Sequence, residues 1–136
     1  MGMNMLVDSN VIIDYVSNRI PEKSAKQLDN YFNSNFSVSI ISKIEVLGFN
    51  TLDYEMEQLE SFIQLSSIVY IDEAVADKTI EIRRMKRIKL PDAIIAATAL
   101  VQNCILLSHN TTDFNKIEGL QVSIPIPLLG NNLFKA

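Results

Sequence analysis

The chain of 136 residues is 48% hydrophobic and 21% charged, which predicts a single globular domain over residues 1–136. Its only cysteine, Cys104, excludes an intrachain disulfide and a thiolate zinc site, so we expect a reducing, cytoplasmic setting. The most apolar stretch, residues 93–107, is interrupted by polar residues and is shorter than the roughly 20 apolar residues of a membrane span, which excludes a transmembrane helix.

The charge is distributed unevenly along the chain. Sixteen acidic and twelve basic residues give a net charge of −4, which is not typical of a protein that coats nucleic acid by bulk charge. Five of the twelve cations nevertheless lie within residues 83–89, without an acid among them. They predict a phosphate-binding face, although an amphipathic surface helix would produce the same pattern. The five cations are Arg83, Arg84, Lys86, Arg87 and Lys89.

The first half of the chain alternates short apolar runs with helical periodicity. Residues 4–8 form an apolar run that ends in an acid and predict a strand, after which a helix continues through Val16. Pro21 begins a second helix. The β-branched run over residues 36–41 predicts a second strand, and Ser42 opens a third helix. A strand is thus followed by a helix twice.

The second half continues this alternation. Pro91 suits the first turn of its helix, and that helix has several alanines that give it a thin side for close packing. Near-continuously apolar strands that alternate with helices predict an α/β fold, a three-layer sandwich with a five-stranded parallel sheet flanked by helices. The predicted elements are helices over residues 53–65, 73–89 and 92–102 and strands over 67–71, 104–108 and 122–126.

Polar residues follow the predicted strands, where the functional crevice of a parallel sheet lies. Asp8 follows the first strand, and Glu45 lies in the helix after the second. Asp92 opens the helix that leads to the fourth strand, and Asn110 and Asp113 follow that strand. We therefore expect four acids to share the carboxyl edge of the sheet, provided that the helix of Asp92 starts on that side.

Each of these residues has a local structural role that would explain it alone. Asp8 could cap a helix, and residues 42–45 fit a capping box. Asp92 could complement a positive helix end, and Asn110 and Asp113 could form an Asx-turn. These roles do not explain convergence, because neighbouring carboxylates repel unless a cation compensates. Oxygen ligands without histidine or thiolate favour Mg²⁺ or Mn²⁺, and they indicate metal-assisted phosphodiester hydrolysis.

Four segments, in this order, resemble the PIN-domain nucleases and, more narrowly, the VapC-like ribonuclease toxins of type II toxin–antitoxin pairs. The likeness covers most of the chain, and the last two segments are the most specific. The segments are LVDSNVIID over residues 6–14, SIISKIEV over 39–46, LPDAIIAATA over 90–99 and LLSHNTTDF over 106–114.

The resemblance implies a five-stranded parallel sheet, Mg²⁺- or Mn²⁺-dependent endoribonuclease activity, a homodimer and an antitoxin partner. It gives catalytic and metal-binding roles to Asp8, Glu45, Asp92 and Asp113. Some relatives carry an acid where this chain has Asn110, so the fourth ligand is Asp113, the amide oxygen of Asn110 or a water between them. The supporting positions are Ser9, Asn10 and Asn110.

Other function classes fit parts of this pattern. A receiver-like phosphoacceptor domain also gathers acids around Mg²⁺, but it would place a lysine after a late strand, and residues 104–110 contain none. A haloacid-type phosphatase would have an aspartate where Asn10 stands. A catalytically silent PIN-like module that binds RNA or protein is a further alternative. For a nuclease of this charge, a small structured RNA with a single-stranded loop is the easier substrate.

Overall fold

A computed structural model describes residues 4–125. Its strands form one parallel sheet in the order β3-β2-β1-β4-β5, flanked by helices, which confirms the predicted fold class. The strands are β1 (Met5–Val7), β2 (Phe36–Ser39), β3 (Ser67–Val69), β4 (Ile105–Leu107) and β5 (Val122–Ser123). The helices are α1 (Ser9–Val16), α2 (Glu22–Phe32), α3 (Ile40–Leu47), α4 (Asp53–Gln64), α5 (Glu73–Met85), α6 (Leu90–Gln102) and α7 (Thr111–Phe114).

An apolar core covers each face of the sheet. Successive residues of a strand point to opposite faces, so Leu6 belongs to the core under α5 and α6, while Val7 belongs to the core under α1, α2 and α4. Leu106 and Leu107 of β4 divide between the same two cores, in register with β1. Within residues 4–125, no helix has the length and apolar character needed to cross a bilayer.

Several predicted element ends are wrong, and two of the differences have a clear physical cause. The second strand ends at Ser39, whose hydroxyl accepts the backbone N–H of Ile41 at 3.1 Å and so caps α3. The helix predicted to reach residue 89 ends at Met85, because Lys86 has an extended backbone with φ −135° and ψ 147°. This extended segment brings Ile88 into the core.

The remaining differences concern the ends of strands and one short helix. The third strand ends at Val69, and the fourth is one residue shorter at each end than predicted. Asp113, for which an Asx-turn was the local alternative, lies in the single helical turn α7. The fifth strand covers Val122–Ser123, and residue 126 of the predicted strand lies outside the described residues.

The helix α6 presents fully buried alanines to its neighbours, as its alanine pattern predicted. A larger side chain there must displace close-packed atoms, so we expect Ala96→Leu to lower the free energy of unfolding by about 1–3 kcal/mol. Ala74→Leu, at an exposed position in the first turn of α5, is the control and should change it by less than about 0.5 kcal/mol. Urea unfolding measures both, and equal midpoints for the two variants would contradict close packing at Ala96.

Candidate active site

Asp8 is the buried carboxylate at the centre of the carboxyl edge, with only 4% of its surface exposed. It follows β1 and caps α1, since Oδ1 accepts the backbone N–H of Ser9 at 2.8 Å. Its Oδ2 accepts hydrogen bonds from Ser108 Oγ at 2.7 Å and from Asn10 Nδ2 at 3.2 Å. Asp8 therefore caps α1 and also lies at the edge where the other acids were predicted.

The pairing of β1 with β4 brings the partners of Asp8 to it. Because Leu6 pairs with Leu106, the residues that follow the two strands leave the sheet side by side. Ser108 Oγ also accepts the backbone N–H of Asn110 at 3.0 Å, and Asn10 Oδ1 accepts that of His109 at 3.2 Å. Side-chain hydrogen bonds thus join the loop after β4 to the start of α1.

The pKa of Asp8 is raised to about 6, chiefly by burial. Hydrogen bonds from Ser108 and Ser9 lower it, while the negative charges of Glu45 and Asp92 raise it further. Neutral hydrogen-bond donors hold the carboxylate, and the two charged groups that shift its pKa, Glu45 and Asp92, are both negative. A cation at this edge would favour the ionised form.

Glu45 and Asp92 reach the same edge from two different helices. Glu45 on α3 is exposed, and its Oε1 accepts a hydrogen bond from Ser9 Oγ at 3.0 Å. Asp92 lies in the first turn of α6, and its pKa is raised by burial and then by the charges of Asp113 and Glu45, whereas Lys89 lowers it. The helix of Asp92 therefore starts on the side of the sheet that carries the other acids.

The capping box predicted over residues 42–45 is wrong. Ser39 caps α3 instead, and Glu45 binds Ser9 of α1. Ser42 Oγ is buried and has no hydrogen-bond partner within the described part of the chain. Glu45 is thus directed toward the acid cluster.

The loop after β4 completes the edge. Asn110 Nδ2 donates to Asp113 Oδ2 at 3.2 Å, and Lys116 Nζ lies 3.6 Å from Asp113 Oδ1. This hydrogen bond joins the N-cap residue of α7 to the acid in its first turn. The pKa of Asp92 shows that the charge of Asp113 acts on that acid.

The cluster, which consists of Asp8, Glu45, Asp92 and Asp113, offers oxygen donors only, and such donors suit Mg²⁺ or Mn²⁺. The side chains are not arranged as a closed ligand cage: across residues 4–125, no three or more His, Cys, Asp or Glu side chains form a metal-ligating group. The donor chemistry fits a divalent cation, and the uncompensated negative charge around Asp8 favours one.

Comparison with known proteins decides the family. The family model of the PIN domain matches residues 5–120. The chain belongs to the PIN domain family. It is 29% identical over 125 residues to Ribonuclease VapC1 of Methanocaldococcus jannaschii, and the match covers 88% of this chain and 85% of that protein.

Solved structures agree with this assignment. This PIN domain is similar to a chain of a toxin–antitoxin complex from Klebsiella pneumoniae, with a TM-score of 0.75 and 29% identity over 92% of this chain and 100% of that chain. A chain of DNA-bound VapBC from Salmonella typhimurium has a TM-score of 0.78 at 21% identity, over 91% of this chain and 99% of that chain. The second likeness shows the shared fold.

The ring of His109, in the loop after β4 of this PIN domain, lies beside Asp14 of α1. Its Nε2 lies 3.2 Å from Asp14 Oδ2, and Arg19 lies 3.9 Å from the other oxygen of Asp14. Burial lowers the pKa of His109, and Asp14 opposes that change. The ring is therefore neutral at pH 7, and we assign it a structural role beside Asp14, which lies one helical turn after Asn10.

Sequence reasoning did not single out Ser108, although it binds Asp8 more closely than any other side chain does. We expect Ser108→Ala to lower the free energy of unfolding by about 1.5–3 kcal/mol, because the hydroxyl donates to a buried carboxylate. Ser24→Ala is the matched control, since Ser24 is fully buried and its hydroxyl has no partner within residues 4–125. Thermal unfolding at neutral pH compares the two, and an equal loss in both would contradict a specific role for Ser108.

Proposed function

We propose that this PIN domain is a cytoplasmic metal-dependent endoribonuclease and the toxin of a toxin–antitoxin pair. The observation that carries the proposal is the buried Asp8, which Ser9 links to Glu45 at the carboxyl edge and whose pKa is raised chiefly by burial and further by the charges of Glu45 and Asp92. Evolved proteins keep repelling carboxylates together where a cation or a reaction uses them. The similarity to Ribonuclease VapC1 supports a nuclease reaction.

In this proposal Asp8 and Asp92 are the principal ligands of Mg²⁺ or Mn²⁺. Asp113 completes the set, with the amide oxygen of Asn110 or through a water. When bound, such an ion would supply Lewis-acid stabilisation of the charge that develops on the phosphodiester and would help to activate a water molecule for attack. Glu45, which is exposed and held by Ser9, binds the ion directly or through water and orients the attacking water.

The side chains around the acids fix them before substrate arrives. Ser9 donates its backbone N–H to Asp8 and its hydroxyl to Glu45, so one residue sets the spacing of two carboxylates. Asn10 and Ser108 hold the other oxygen of Asp8. Preorganised groups of this kind avoid the cost of reorganisation during the reaction.

The toxin role and the partners extend the same proposal. A solved structure similar to this chain comes from a toxin–antitoxin complex at 29% identity, which supports a protein antitoxin as partner. A homodimer and an RNA substrate are the other partners in the proposal. The single cysteine, Cys104, supports a reducing cytoplasmic location.

The proposal is tested by incubating the purified wild-type chain with a mixed pool of small RNAs in Mg²⁺, in Mn²⁺ and in chelator. Discrete products with either metal, and none in chelator, are expected. Products that persist in chelator would contradict the metal-dependent reaction. RNA binding without products under all conditions would instead identify a catalytically silent PIN module.

A further inference from the structure

Residues 83–89, which we call the basic strap, comprise the last residues of α5 and the linker to α6. All five Lys and Arg side chains of the strap are exposed. None of them takes part in the ion pairs formed within residues 4–125. The cations that do form ion pairs there are Arg19, Lys26, Lys78 and Lys116, together with His109 when it is charged.

The strap is anchored, so its cations project from an ordered backbone. Ile82 and Ile88 flank most of it, with 6% and 8% of their surfaces exposed in the same core. Lys86 and Lys89 both have extended backbones, with ψ of 147° and 149°. A ligand that binds these cations therefore pays little to order the chain beneath them.

The strap also has the shape and surroundings of a phosphate-binding surface. It lines a shallow, open depression of about 390 Å³. Guanidinium groups bind phosphate in a bidentate manner, and the exposed Met85 and Leu90 offer apolar surface beside them. The depression is lined by Arg83, Arg84, Met85, Lys86, Arg87 and Ile88.

The strap leads to the acid cluster. Its last cation, Lys89, is the N-cap residue of α6, and Asp92 of the acid cluster lies in the first turn of the same helix. An acidic protein segment bound to the strap would be repelled by the four neighbouring carboxylates and would gain nothing by extending toward them. An RNA strand that is cleaved at those carboxylates has to leave the site, and the strap is the surface of matching charge beside it.

We propose that the basic strap holds the RNA backbone to one side of the scissile bond, so that the substrate is a single strand extending from the acid cluster onto the α5–α6 junction. This inference rests on the proposed nuclease function. Five of the twelve Lys and Arg residues lie in the strap, and the rest of the chain carries seven cations against sixteen acids, so the strap is the densest positive charge available to a phosphate backbone. Substrates too short to reach the strap are expected to bind more weakly.

The test compares Arg84→Gln/Arg87→Gln with a control pair of equal charge change, Lys23→Gln/Lys26→Gln on α2. Binding of fluorescein-labelled oligouridylate is followed by anisotropy between about 50 and 200 mM salt. For single strands, the plot of log binding constant against log salt concentration steepens by about 0.7 for each phosphate that the protein contacts. We expect the slope to fall by about 1.4 in the strap variant and to stay unchanged in the control pair.

Chelator is present throughout the binding measurement, so the result does not depend on cleavage and a failed nuclease proposal is seen separately in the RNA-pool assay. An unchanged slope in the strap variant, an equal loss in the control pair or no RNA binding by the wild type would overturn the inference. Tighter binding of polyglutamate than of oligouridylate would also overturn it. In cleavage, the loss of kcat/KM in the strap variant should grow with substrate length.

Discussion

Asp92→Asn is expected to lower the rate of RNA cleavage by about a thousandfold or more, which corresponds to about 4 kcal/mol of transition-state stabilisation. The substitution keeps the shape of the side chain and removes one oxygen ligand and one negative charge. Because burial, and then the charges of Asp113 and Glu45, raise the pKa of Asp92, its neutral replacement removes both an ionised group from a partly buried position and a source of repulsion. The free energy of unfolding in chelator should therefore stay equal or rise.

Single-turnover cleavage and urea unfolding of the same preparations measure the two effects. Asp77→Asn is the matched control, because Asp77 is an exposed acid on α5 with the same side chain and no place in the cluster. The control should keep its cleavage rate and its stability. Unfolding of Asp92→Asn, together with no effect of metal on the wild type, would show that Asp92 serves only as a helix-end acid.

Asp8 is expected to make the metal-free protein less stable as the pH rises. Its pKa of about 6 in the folded chain lies above the unfolded value of 3.8, so the folded state holds the proton more tightly. Stability is then greatest below the unfolded value and falls as the pH passes through the folded value. A shift of about two units corresponds to about 3 kcal/mol lost by pH 7.5.

Asp8→Asn should remove this pH dependence. Altered hydrogen bonds with Ser108 and Asn10 shift the whole curve, but they do not change its slope between about pH 4 and 7. The quantity to measure is the difference in unfolding free energy between wild type and variant across that range in chelator, because it cancels the opposing contribution of His109. A difference that stays constant with pH would contradict the burial of an ionisable Asp8.

Added Mn²⁺ provides a second readout for Asp8. A cation that binds only the folded state raises the unfolding temperature, and the stabilisation grows with the logarithm of the cation concentration relative to Kd. We expect a larger rise at pH 7.5 than at pH 5, because the proton and the cation compete for the same carboxylate. Equal rises in wild type and Asp8→Asn would place the cation elsewhere.

The position of the acids at the carboxyl edge of the sheet could be predicted because short apolar runs show in the sequence where each strand ends. Asp8 and Asp113 follow apolar strands, and parallel strands end at one edge. Glu45 was harder, since Ser39 and Ser42 are both acceptable caps and only packing decides between them. The structure selects Ser39, which turns Glu45 toward Ser9.

What the sequence could not supply are contacts between distant residues. Ser108 bonds to Asp8 across 100 positions, and the pairing of β1 with β4 that places them is a tertiary fact. The early end of α5 has the same origin, since burial of Ile88 competes with a helical pattern that is otherwise regular. Hydrophobic periodicity within one segment does not show how that segment packs against the rest of the chain, so it cannot predict this early end.

The most direct test of the acid cluster is a titration of the chelator-treated chain with Mn²⁺, in which cation binding and RNA cleavage are followed in the same samples. Calorimetry reports binding, and gel analysis of a substrate from the RNA pool reports cleavage. If the acid cluster holds the catalytic cation, the two midpoints coincide in the wild type, binding is weaker in Asp92→Asn, and Asp77→Asn is unchanged. Cleavage before any Mn²⁺ is bound, or equal Mn²⁺ binding by wild type and Asp92→Asn, would contradict that role of the cluster.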